Sequence, residues 1–164
     1  MIFPDTLVVQ AIDVDTGSPV ANVALVLMLR APKKNDYRVG PVITDDAGHA
    51  KFTRAQCERT IARAQEMFVM DYFGDLSSCA PTAQVRVHFP EHVTRMIEQY
   101  DKSPQFWGRA FDDAPALFRG LRTVRNADFE SAQVTFRDSE IAARPEISIM
   151  LKRTKSDAAD GNRG

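Results

Sequence analysis

The side chains that could do chemistry in this chain are few and scattered. His88 and His92 stand four apart in HFPEH with Glu91 between them, and His49 lies elsewhere on a turn. A divalent ion such as zinc accepts ligands of this kind, but a strand-to-helix junction does not aim two rings at one point as an unbroken helix would, and no thiol completes a known spacing. Solvent-facing histidines are the simpler account, so His49, His88 and His92 remain candidates only, and neither metal nor other cofactor is expected. Asp45-Asp46, Asp71, Asp75 and Asp112-Asp113 fall at turns without the loop spacing of a calcium site or a partner for acid-base work. Cys57 and Cys79 form no CxxC pair and neither adjoins a histidine, so two buried or half-buried thiols are expected rather than a nucleophile or a disulfide. Phosphate loop, nucleophile elbow and dinucleotide fingerprint are all missing from the sequence.

A different kind of chemistry is concentrated between Ser103 and Ala132. Phe106, Trp107, Phe111, Phe118 and Phe129 are interleaved there with Arg109, Arg119, Arg122 and Arg125. One reading is an excursion whose aromatics lie on the main fold as a satellite core. The other is a contact surface, since Trp, Phe and Arg are the types that dominate interface hot spots. The binding candidates are Phe106, Trp107, Arg109, Phe111, Phe118 and Arg119, with Arg109 and Arg119 as a charged rim.

These residues need a scaffold, and the clearest part of it runs from Leu7 to Phe52. Leu7 to Val14 is apolar at both phases, which suits a strand covered on two sides or sitting at a sandwich corner. Asp15-Thr16-Gly17-Ser18-Pro19 stops it, through local side-chain hydrogen bonds, a glycine free to take positive φ and a proline without a donor. Val23, Leu25, Leu27 and Leu29 then alternate as one core face of a second strand. A polar loop follows, and Thr44-Asp45-Asp46-Ala47-Gly48 is a further turn, with Gly48 left-handed, before a strand ending at Phe52.

After Phe52 the period lengthens. Thr53-Arg54-Ala55-Gln56 fits a capping box, and Cys57, Ile61, Ala64 and Phe68 share one face of a helix from about Arg54 to Glu66. Met67 to Phe73 reads as a buried strand. Val85, Val87 and Phe89 alternate with Arg86 and His88, as in a half-exposed strand. Pro90 opens a second helix striped by Val93, Met96, Ile97 and Tyr100. Asp113-Ala114-Pro115-Ala116 can cap a short helix bearing Leu117, Phe118 and Leu121. Strands over Val134 to Arg137 and Ile147 to Leu151 complete the pattern, and the tail after Thr154 lacks large apolar side chains and is expected to be disordered.

Asp13, Thr16-Gly17, Pro19-Val20, Val23, Leu25, Thr44-Asp45, Gly48 and Phe52 together resemble the transthyretin-like, or carboxypeptidase-regulatory-like, β-sandwich family. The resemblance covers roughly the first third of the chain. It implies a mainly-β, Greek-key (prealbumin-like) sandwich with two or three short helical insertions, occupying residues 1–153 as a single domain, with 154–164 as the tail. The family holds non-catalytic modules as well as a hydrolase branch that opens hydroxyisourate. That branch carries a His on its first strand and ends in Tyr-Arg-Gly-Ser, whereas this chain begins MIFPDTLVVQ and ends MLKRTKSDAADGNRG. Related dioxygenases hold iron with two Tyr and two His, and Tyr37, Tyr72 and Tyr100 form no compact set with the histidines.

The 164 residues carry 21 basic and 22 acidic side chains, so no global field favours nucleic acid, and no apolar window is long enough to span a bilayer. With no signal peptide read at the N-terminus, a cytoplasmic location is expected. The reading reached is a non-catalytic binding or assembly module, for a protein or a small ligand, with a protein partner or a second copy of the chain expected. The alternative is a hydrolase acting on a small cyclic or ester substrate.

Overall fold

The structure is a computed structural model, and it describes residues 4–30, 36–67, 82–87, 90–109, 111–137 and 146–154. Among the described residues, seven strands and four α-helices follow one another as β1 Thr6–Asp13, β2 Ala24–Arg30, β3 Asp36–Ile43, β4 His49–Thr53, α1 Arg54–Met67, β5 Thr82–Val87, α2 Pro90–Lys102, α3 Pro104–Gly108, α4 Ala114–Leu121, β6 Gln133–Arg137 and β7 Glu146–Leu151. A 3-10 turn, Asn126–Asp128, precedes β6. The strands make a three-stranded sheet, β4-β1-β7, and a four-stranded sheet, β3-β2-β5-β6. Among the described strands only β1 and β7 run parallel, with Val9 opposite Ile147 and Ala11 opposite Ile149.

One buried cluster joins the two sheets. It contains Leu7, Val9 and Ala11 of β1, Leu25, Leu27 and Leu29 of β2, Tyr37 and Val39 of β3, Phe52 of β4, Ile149 and Leu151 of β7, and Cys57 and Ile61 of α1. The alternation of Leu25, Leu27 and Leu29 therefore does mark a core face. Helix α1 enters this cluster because Thr53 starts it where the sequence placed a cap: the Gln56 N–H donates to Thr53 Oγ1 at 3.1 Å. The Asp45 turn also forms as its residues dictate. The N–H groups of Ala47 and His49 donate to Asp45 Oδ1 at 3.0 and 2.9 Å, and Gly48 sits at φ +77°, where an added Cβ would lie 2.8 Å from Ala11 O.

A second cluster decides the fold class. Ala24 of β2 and Ile43 of β3 pack outward against Val93, Met96, Ile97 and Tyr100 of α2 and against Ala114, Phe118 and Leu121 of α4. Gly120 lets α4 approach so closely that a Cβ there would stand 2.7 Å from Ile43 Cδ1. The helices are thus a layer on the four-stranded sheet, and helix and strand hold nearly equal shares of the described residues. A mainly-β Greek-key sandwich with two or three short helical insertions is therefore not the fold: the chain is mixed α and β, with two small sheets. The physical reason lies in β2. Ala24 and Val26 are buried beside Leu25 and Leu27, so this strand is covered on both faces, which a two-sheet arrangement alone would not do.

Other readings shift by less. The stretch read as a polar loop before Val42 contains β3, which begins at Asp36 and buries Tyr37 and Val39. The strand expected from Met67 to Phe73 falls, apart from Met67 at the end of α1, outside the described residues, as do Cys79 and the tail beyond Thr154. No helix among the described residues is long and apolar enough to cross a membrane.

Candidate functional site

The aromatic and arginine-rich segment is built from α2 to the 3-10 turn, and its local structure follows from two prolines. Pro104 and Pro115 both stand in the first turn of a helix, where the missing N–H costs nothing and the fixed φ is already helical. Ser103 N–H closes α2 onto Gln99 O at 3.0 Å, and Trp107 N–H donates to Ser103 O at 3.1 Å, so α3 follows α2 after a single turn residue. Asp113 is the N-cap residue of α4, as its position suggested, but it takes φ 45°, ψ 57° and its side chain makes no cap hydrogen bond. The first turn of α4 is held instead by the Leu117 N–H on Asp113 O at 3.1 Å.

This geometry separates the candidate residues into two sets. Phe118 is 2% exposed; Tyr100 stacks on it with ring centroids 4.0 Å apart and planes within 5°, and Phe111 meets its edge at 5.5 Å. Phe118 and half-buried Phe111 thus serve the helical core. Phe106 is 53% exposed, with half-buried Trp107 against it edge-on at 5.4 Å. Arg109, the C-cap of α3, and Arg119 on α4 are exposed and make no ion pair among the described residues. Phe129, the fifth aromatic, is buried beneath the guanidinium groups of Arg125 and Arg153, at 5.5 and 5.7 Å from its centroid.

The acidic residues turn out to brace this layer. Asp112, between α3 and α4, accepts from Arg59 and, at 2.9 Å, from Arg63, both on α1. The Arg63 hydrogen bond, more than the opposing partial burial, holds the Asp112 carboxyl below the usual carboxylate range, with Arg59 adding to it. Asp101 at the end of α2 pairs with Arg122 just after α4 at 2.6 Å and raises the arginine further. Asp13 is buried; the Asp15 N–H on its Oδ1 is the main cause of its lowered pKa, and Arg153 Nε reaches its Oδ2 at 2.9 Å. Of these carboxylates the sequence showed only Asp112 as a turn residue, and nothing local marked the arginine partners, which come from as far as 140 positions away.

Asn126 went unnoticed in the sequence. It is buried, accepts from the Ala24 N–H at 2.8 Å through Oδ1 and donates to Ala24 O at 3.0 Å through Nδ2, so its amide completes the start of β2 as another strand would. Of the metal candidates, His49 lies on β4 with Nε2 3.8 Å from Glu146 Oε1; His92 belongs to the first turn of α2 and His88 lies outside the described residues. No three His, Cys, Asp or Glu side chains among the described residues come together as a metal site would require. Cys57 is fully buried in the main core.

No family model matches the chain, and no curated protein matches it. Among solved structures it is similar to a crystal structure of (S)-allantoin synthase, with 13% sequence identity and a TM-score of 0.35; the match covers 91% of this chain and 43% of that one. The chain spans less than half the length of that structure, and a likeness so distant carries no argument about this chain.

Proposed function

We propose that this chain is a non-catalytic binding module for a protein partner, and that the corner formed by Phe106 and Trp107 on α3 is its contact. The observation that carries this reading is the 53% exposure of Phe106 beside a half-buried Trp107, in a segment whose other aromatics are packed away. An aromatic side chain left open on a helix already anchored by its neighbour costs little entropy to bury against a partner. Arg109 follows one residue after α3, exposed and unpaired among the described residues, so the partner that fits is an apolar side chain flanked by carboxylates.

A library of displayed random peptides panned on the purified chain tests this. Peptides with an aromatic or aliphatic anchor next to Asp or Glu are expected to be enriched, and Phe106→Asp should abolish their capture while Arg109→Glu weakens it. Enrichment of no common motif, or of a motif still bound by Phe106→Asp, would overturn the reading.

A further inference from the structure

The outer face of the three-stranded sheet bears a pattern that the aromatic corner does not share. Residues of β4, β1 and β7 at the same register lie side by side on this face, so it can be read in rows. Lys51, Val8 and Glu146 make a charged row with opposite signs at its two ends. His49, Gln10 and Ser148 make a polar row. The β-bridge of Ile12 to Pro19 and the pairing of Ile12 with Met150 make an apolar row, Pro19, Ile12 and Met150. Val14, whose N–H donates to Leu151 O at 2.9 Å, extends that end. Met150 is 50% and Val14 48% exposed, which with Phe106 makes them the large apolar side chains most open to solvent among the described residues, and no described element packs over the face.

We infer that this face binds a second copy of the chain, across a two-fold axis running along β1. Such an axis keeps each row opposite itself while exchanging its ends. Lys51 of each copy then stands over Glu146 of the other, twice per dimer, and Val8 and Ile12 meet their own counterparts. A face with one sign of charge, or with its charges on one edge strand, would be repelled by its own copy or indifferent to it; here Lys51 and Glu146 occupy opposite edges of the same row. Glu146 already leans across β1 toward His49, and a Lys51 from the second copy adds a full positive charge to that carboxylate. The extent of the face sets the strength. Three strands about 4.8 Å apart and six residues of about 3.3 Å rise outline on the order of 300 Å², below the roughly 800 Å² that each partner contributes to a standard interface. The dimer is accordingly weak, dissociating at roughly 10 μM to 1 mM.

Sedimentation velocity of the full chain from about 1 μM to about 1 mM tests the inference. Wild type should move from monomer to dimer over that range. Met150→Lys should weaken the dimer by about tenfold or more, and Lys51→Glu and Glu146→Lys should each do so by about tenfold, by setting like charges opposite one another. The double reversal Lys51→Glu with Glu146→Lys should return the dissociation constant to within about threefold of wild type, a recovery that only cross-copy pairing of these two residues produces. The three substituted positions are all exposed, and unchanged circular dichroism confirms the fold. Phe106→Asp should leave dimerisation intact, which separates this surface from the aromatic corner. A chain that stays monomeric at about 1 mM, reversals that do not compensate, or a dimer lost with Phe106→Asp would each overturn the inference.

Discussion

Phe106 and Phe118 are the same residue twelve positions apart, in consecutive helices, and the structure uses them in opposite ways. Phe118 lies under Tyr100 and against Phe111, 2% exposed, whereas Phe106 meets the Trp107 ring edge-on and is 53% exposed. Composition does not distinguish them. What does is the surface that each helix meets: α4 lies against Ile43 through the gap left by Gly120, while α3, a single turn and a half long, has no buried residue at all. An aromatic cluster in a sequence can thus be core and surface within one segment, and the division is made by the neighbours.

The sharpest way to break this contrast is to truncate both rings. Phe118→Ala should cost about 3–5 kcal/mol in a denaturant melt, by lost burial and the cavity left between Tyr100 and Phe111. A loss under about 1 kcal/mol would show that the helical layer does not depend on that ring. Asn126→Ala comes next, with an expected cost of about 2–4 kcal/mol, because it strands a buried N–H and a buried carbonyl of Ala24 at once. Hydrogen exchange should then quicken first at the start of β2, and uniform quickening would contradict the local role assigned to the amide.

Asp112→Asn sharpens the contrast from the electrostatic side. Its carboxylate is about half exposed, so the clamp on Arg59 and Arg63 contributes no more than about 1 kcal/mol, and less in high salt. The sign follows from the direction of the shift. The Asp112 carboxyl is lowered in the folded chain, so its contribution is complete above the ordinary carboxylate value of 3.8 and fades as pH falls through the still lower folded value. Wild type and Asp112→Asn should therefore differ at neutral pH and converge below that point, and a gap that persists in acid would rule out the charge as its source. The smallest effect belongs to Phe106→Ala, which should move stability by less than about 0.5 kcal/mol. A shift as large as that of Phe118→Ala would end the case for Phe106 as a free contact residue.

Much of the local architecture was legible in the chain. The Asp45 turn, the left-handed Gly48, the Thr53 cap of α1, the apolar stripe of α2 and the period-two face of Leu25, Leu27 and Leu29 all depend on residues within a few positions of each other, where propensity and hydrogen bonding act directly. The candidate site was legible only as a stretch of unusual composition. Arg109 and Arg119 emerge on the surface with Phe106, but Phe118, counted with them, belongs to the core, and Asn126, which completes β2, carried no signal because its partner Ala24 is 102 positions away.

The fold class shows the same limit. The pattern alone reads β1 as covered on both faces and β2 as having one core face. In the structure β2 is covered twice, by the other sheet on one side and by α2 and α4 on the other, while β1 buries Leu7, Val9 and Ala11 and leaves Val8 and Ile12 half open. The sequence by itself determined the Asp45 turn, the start of α1 and the core face of β2, because turns, caps and alternation are written in neighbouring residues, whereas β3 and α3 were not legible in it. Which face of each strand receives the helical layer was decided only in three dimensions, because burial depends on what arrives from elsewhere in the chain, and an isolated segment holds no record of it.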